Sequence, residues 1–215
     1  MRAAVQYQLA VFRRSQRYVP PALAYLAVLA VFTSDPGGGA LPGFAVSAGA
    51  LLLVAGWMVI ALVDAEDPVQ RAVTVSHLGS LRRLVTGQVL AAAACAAVAA
   101  VVAVVWSIAV HGAASWQEPV IGLLAHLACA GVGVAVALPC SALVVQREGL
   151  RPVLAASLLI AVLLVERLPL VHPLLRALTA GTASWPALGL ALLAAAVLLG
   201  AGTPLVAAAA ARRDQ

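Results

Sequence analysis

The residues able to do chemistry in this chain are few, and they crowd into one place. Residues 64–84, DAEDPVQRAVTVSHLGSLRRL, hold Asp64, Glu66, Asp67, Arg71, Arg82 and Arg83, with His77 among them. Carboxylates and guanidiniums so spaced offer ion-pairing and hydrogen-bonding partners to another surface, but they do not spell a reaction. All 13 basic residues are arginine. Without lysine, the phosphate-gripping G-x-x-x-x-G-K-[ST] loop cannot be built. No H-E-x-x-H or G-x-S-x-G pattern occurs, and His77, His111, His126 and His172 are too dispersed to suggest a metal site. Cys95, Cys129 and Cys140 lie in apolar runs with no C-x-x-C spacing and read as small buried hydrophobes. No catalytic residue, metal ligand or cofactor site is expected in this chain, and an enzyme acting alone is not expected either. Ion-driven transport recruits ionisable residues inside the membrane, and here only His126 and Glu166 qualify.

The elements that must position these residues follow from composition. The 215 residues are 64% hydrophobic and 10% charged, with a mean hydropathy of +1.05. Soluble domains carry about 25% charge, and no soluble surface can be made from so few polar groups. The apolar runs are continuous rather than alternating, which points to helices and away from a membrane barrel. The expected fold is therefore an all-α membrane protein, one transmembrane domain over 1–215. Six spans are predicted, at 19–33, 43–63, 84–110, 120–145, 152–166 and 186–211, the first and fifth being short for a ~30 Å hydrocarbon core.

Charge orients the spans. One side receives Arg2, Arg13, Arg14, Arg17, Arg71, Arg82, Arg83, Arg147, Arg151, Arg212 and Arg213; the other receives Arg167 and Arg176. Arginine excess marks the cytoplasmic side, so both termini are expected in the cytoplasm. The lysine-free, Ala- and Arg-rich composition points to a bacterial cytoplasmic membrane. The arginines are scattered among short loops, which argues for topology and against nucleic-acid binding.

Three segments are not spans. Residues 2–17 place Val5, Leu9, Phe12 and Gln16 on one helical arc, with Arg2, Gln6, Arg13 and Arg17 beside it. That suits an interfacial helix with its apolar side in lipid and its arginines on phosphates; a disordered basic leader is the alternative. Tyr7 and Val11 interrupt the arc. The second segment opens with Asp67-Pro68-Val69-Gln70: an N-cap, a proline at the first helical position and a glutamine placed for a capping box. A short helix over 67–77 is predicted, ending before Gly79, with Ser80 capping the next span. A solvated loop would also join the spans, but these start and stop signals favour a docking element. The third, 166–185, is apolar yet broken by Pro169, Pro173 and Gly181. It reads as re-entrant helices over 167–185 in the outer leaflet, which would have to be buried in protein or line a cavity. Glu166, Arg167 and His172 are candidates for an outer-leaflet path; a self-neutralising Glu166–Arg167 pair is the plainer alternative.

Together, an N-terminal interfacial helix, six spans, a capped polar helix after the second and broken helices before the last resemble the membrane subunit of type-2 ATP-binding-cassette exporters. The segment AEDPVQRAVTVSHLGSLRRLVTGQ carries the local likeness, with Glu66 or Asp67, Arg71 and Gly79 in the places of the family's coupling helix. It departs at Pro68 and lacks the family's commoner Glu-Arg neighbour pair. The resemblance implies a permease half-transporter that forms the path as a dimer of two copies, a homodimer by preference. Separate cytoplasmic ATPase subunits would bind ATP and Mg and drive it. It also implies ATPase contacts at Glu66, Asp67, Gln70, Arg71, Thr74 and His77. Arg13, Arg17, Arg82 and Arg83 are expected at the lipid interface. The apolar spans suit a hydrophobic or amphiphilic export cargo. The rival readings are a six-span regulatory or scaffolding protein without transport activity, and a lipid-modifying membrane enzyme.

Overall fold

The computed structural model describes residues 1–32, 39–113, 115–166, 171–182 and 184–212. The apolar runs fold as helices because a helix satisfies every backbone N–H and C=O within its own segment, as hydrocarbon demands. In chain order these are α1 (Arg2–Ser15), α2 (Val19–Phe32), α3 (Ala40–Val63), α4 (Pro68–Leu78), α5 (Leu81–His111), α6 (Gln117–Ala137), α7 (Leu150–Leu164), α8 (His172–Thr179) and α9 (Trp185–Ala211). No strand occurs among the described residues. The helices α3, α5, α6 with its short continuation to Cys140, and α9 are long and apolar enough to cross a bilayer. The 14 residues of α2 and 15 of α7 are apolar but shorter, roughly 21–22 Å at 1.5 Å per residue. The architecture is that of an all-helical membrane protein with four long apolar helices and two short ones.

The hub is α3, buried along most of its length and packed against α2, α5, α6, α7 and α8. Its tightest neighbour is α6. A β-carbon at Gly133 of α6 would run into the Leu52 carbonyl oxygen of α3, and one at Gly122 would lie 2.8 Å from the Phe44 ring. Glycine at these points lets the two backbones approach, the usual way helices gain contact where no hydrophobic drive separates protein from lipid. Leu51, Leu52, Leu62, Cys129 and Leu138 belong to the core cluster these helices share. Buried His126 ties the same pair: Nδ1 faces the Gly122 carbonyl at 2.6 Å and Nε2 meets Ser47 Oγ at 2.9 Å. A carbonyl only accepts, so the ring proton belongs on Nδ1. His126 is thereby a satisfied cross-brace inside the core.

Several predicted boundaries shift. The segment expected to run 120–145 stops being α-helical at Ala137, then makes one 3₁₀ turn over Leu138–Cys140. Pro139 cannot donate to the ladder, and Ser141 closes the end by donating from Oγ to the Leu138 carbonyl at 2.7 Å. Residues 142–144 are apolar yet form turns, so hydropathy alone overran the helix. The interfacial helix ends at Ser15, not 17, where Gln16 adopts φ 55. Its apolar arc also faces inward: Phe12 is buried with Ala4 and Gln8, and Val5 and Leu9 pack on the core. Gly87 of α5 gives Ala4 room to approach. In the 167–185 region one helix, α8, is described where several were expected; residues 167–170 and 183 lie outside the described set. Leu174 and Leu178 of α8 are buried, one turn apart on the face it presents to α3 and α9.

Candidate coupling helix and membrane groove

Helix α4 is built by its ends. Asp67 sits in extended conformation and its Oδ1 accepts from the backbone N–H of Val69 at 2.7 Å and of Gln70 at 3.2 Å. Pro68 fills the first helical position, where a missing N–H costs nothing. Gly79 ends the helix at φ 72 and donates to the Val75 carbonyl at 2.9 Å. A left-handed residue is needed there, and glycine supplies it without a β-carbon penalty. Ser80 then caps α5, accepting from Arg83 N–H at 3.3 Å, while Arg83 Nη1 returns to the Leu78 carbonyl at 3.0 Å. The α4–α5 corner is therefore braced from both sides.

The other fastening runs to α1. Glu66 is only 2% exposed. Its carboxylate accepts from Tyr7 Oη at 3.3 Å, Gln8 Nε2 at 3.2 Å and Thr74 Oγ1 at 2.5 Å. Gln70 Nε2 donates to Tyr7 Oη at 2.8 Å, so Gln70 serves this cluster and not the capping box expected of it. Arg71 Nη2 donates to the carbonyls of Val63 and Glu66, at 3.1 and 3.2 Å, and so caps the end of α3 and the turn after it. Among the described residues the ion pairs are Arg151–Asp64 and Arg176–Glu166. The buried Glu66 charge is thus met by neutral donors, and each donor lost would leave it less compensated.

This sorts the predicted contacts. Glu66, Gln70, Arg71 and Thr74 do come together, but they fasten α4 to α1 and α3. Glu66 in particular is inside the protein and is not a surface contact. Asp67 is exposed and spends its carboxylate on the cap, while His77 is exposed with Nδ1 turned to its own Val73 carbonyl at 2.8 Å. The outward face of α4 is instead Val69 and Val73, 75% and 53% exposed, one helical turn apart, with Ala72, Ser76 and His77 beside them. The two valines form a small exposed apolar patch on a braced helix. Sequence reasoning passed over them, and it treated Tyr7 as a blemish in the apolar arc. The polar interruption was the signal, because Tyr7 faces the Glu66 cluster. A cleft of about 470 Å³, lined by Pro68, Arg71, Val75, Leu143, Gln146 and Ala210, lies against the other flank of α4.

A second brace was not foreseen. Arg151, at the start of α7, pairs with Asp64 at the end of α3, Nη1 to Oδ1 3.1 Å. It also donates from Nε to the Val145 carbonyl at 2.8 Å and from Nη2 to Gln146 at 3.0 Å. All three nitrogens of the guanidinium are used, which is how a largely buried charge is tolerated. Beside this pair, Arg17, Trp57, Asp64, Glu148 and Arg151 line a polar cleft of about 450 Å³. Through Trp57, Ile60 and Pro152 it adjoins an apolar cleft of about 440 Å³ between α2 and α7, walled by Val28, Leu53, Val54 and Leu159. The α2–α3–α7 face thus carries a groove that is polar at one end and greasy beyond.

The remaining candidates are plainer. Arg13, Arg17, Arg82 and Arg83 are exposed, as a headgroup role requires. Glu166 pairs with Arg176 at 3.2 Å, both side chains about two-thirds exposed, an arrangement worth little in stability. Arg167 lies outside the described residues, and His172, half-buried, opens α8. Among the described residues no group of three His, Cys, Asp or Glu is placed to hold a metal, and the three cysteines are free. No family model, curated protein or solved structure matches the chain, so the function must be argued from this geometry and the sequence.

Proposed function

We propose that the chain is the permease half of an ATP-driven exporter of the ATP-binding-cassette type. In this proposal it spans the membrane six times, α2 and α7 included, with both termini in the cytoplasm of a bacterial cell. Two copies form the path, and separate ATPase subunits, which bind ATP and Mg, push on α4. The observation that carries this is the mounting of α4. A lever must not flex, and α4 is capped at both ends, continues through a braced corner into α5, and is fastened to α1 through Glu66. Its exposed Val69 and Val73 give a partner something apolar to hold. The groove on α3 suits an amphiphilic cargo, with its polar part near Arg17, Asp64 and Arg151 and its apolar part between α2 and α7. In a dimer, two such faces would enclose the path.

The test is gentle-detergent purification of the full chain from its native membrane. Proteins retained are identified by mass spectrometry and the stoichiometry by native mass. Two copies carrying a soluble P-loop ATPase are expected. Val73→Asp should release that ATPase while leaving the permease dimer and its melting temperature unchanged, because the substituted side chain is exposed. A monomer retaining no nucleotide-binding subunit would sink the proposal and favour a scaffolding protein.

A further inference from the structure

A separate cleft, of about 510 Å³, opens between α1, α2 and α5, with Met58 of α3 at its floor. That is within the roughly 300–1,000 Å³ of ordinary small-molecule sites. Its walls are Phe12, Tyr18, Leu26, Cys95, Val98 and Ala99. The Phe12 and Tyr18 rings meet edge-on at 5.9 Å and stiffen the α1–α2 turn above it. The hydroxyl of Tyr25, deeper in, is spent on the Ser47 carbonyl at 3.2 Å. Arg13 is the one charged residue in the lining. Among the described residues its guanidinium has no carboxylate partner. No acidic residue lies in α1, and Arg14 follows. On the flanks, Leu23 of α2 and Val98 of α5 are exposed and apolar.

We propose that this cleft binds one acyl chain of an anionic phospholipid, with Arg13 holding the phosphate. A cleft this apolar, opening between helices whose outer faces suit hydrocarbon, takes a tail without desolvating any polar group. A guanidinium at its rim matches a phosphate in charge and in fork geometry, and in a zwitterionic headgroup the cationic amine beside that phosphate repels the same guanidinium. Seated there, the lipid would wedge α1 against α5 and hold the helix that carries Tyr7 and Gln8 to Glu66. The inference needs only that the chain is membrane-embedded; it does not need the ATPase or the export path.

The full chain in nanodiscs, with a trace of phosphatidylglycerol or phosphatidylcholine spin-labelled on the acyl chain, tests it by the immobilised fraction in the electron spin resonance spectrum. At low salt, phosphatidylglycerol should be preferred about fivefold, the worth of one arginine near an anionic surface. Arg13→Gln should erase the preference, Arg14→Gln should leave it, and Ala99→Phe should empty the cleft of either label. Ala22→Leu fills the same space should Ala99→Phe fail to fold. Equal immobilisation of both lipids overturns the proposal. So does an Arg14→Gln effect matching that of Arg13→Gln, which would mean diffuse surface charge, or immobilisation that survives the filled cleft. The assay contains no ATPase, so failure here leaves the proposed coupling role standing.

Discussion

Thr74→Val keeps the shape of the side chain and removes one hydroxyl, and it removes the shortest bond to a buried carboxylate. Thr74 Oγ1 lies 2.5 Å from Glu66 Oε1, while Tyr7 and Gln8 reach the same group at 3.3 and 3.2 Å. A hydrogen bond to a charged group contributes about 1.5–3 kcal/mol, and tenfold in an equilibrium corresponds to about 1.4 kcal/mol. Separation of α4 from α1 should therefore become roughly 10- to 150-fold more frequent. Amide hydrogen exchange of residues 71–78 in the full chain reads this directly, because local opening sets the rate when protection is local. Tyr7→Phe withdraws a second donor from the same carboxylate, so the two substitutions should not add. Wild-type exchange over 71–78 in the Thr74→Val protein would refute the latch. Equal acceleration in α9 would also refute it, since that reports general loosening and not a local fastening undone.

Two further substitutions probe a brace and a buried polar group. Arg151→Ala strands the half-buried Asp64 carboxylate, and loss of one partner of such a pair costs about 3–5 kcal/mol. Its melting temperature in detergent should fall clearly, and adding Asp64→Ala should restore part of the loss; a double variant no better than the single one would show that the ion pair is not the cause. Gln88 is fully buried with neither side-chain polar atom partnered. Gln88→Leu should raise resistance to denaturant by about 1–3 kcal/mol, the penalty of an unsatisfied buried group, and a destabilised Gln88→Leu protein would mean that the amide has a role in the fold.

How far each element was legible depended on how local its cause is. The ends of α4 were readable because Asp67, Pro68, Gly79 and Ser80 act on backbone groups within four residues of themselves. The end of α6 was misjudged because Pro139 competes with a run of apolar residues, and whether a chain bends or continues there depends on what Ser141 and its neighbours meet. The apolar arc of α1 was visible, but which neighbour it faced was not, since lipid and protein interior are almost equally apolar. Val69 and Val73 were passed over, because exposure is not a property of sequence spacing alone.

By itself the sequence determined the class. A chain two-thirds hydrophobic, with its apolar residues in long continuous runs, reads as a helical membrane protein, and without lysine it cannot grip a nucleotide through a P-loop. It also determined where the polar helix starts and stops, because capping is decided by short-range backbone chemistry. Only the tertiary structure decided that Glu66 is a fastening and not a contact, that Arg151 answers Asp64 across 87 positions, and that a groove and a separate apolar cleft flank α2. Such pairings join residues far apart in the chain, and their partners are chosen by how the helices stack around α3.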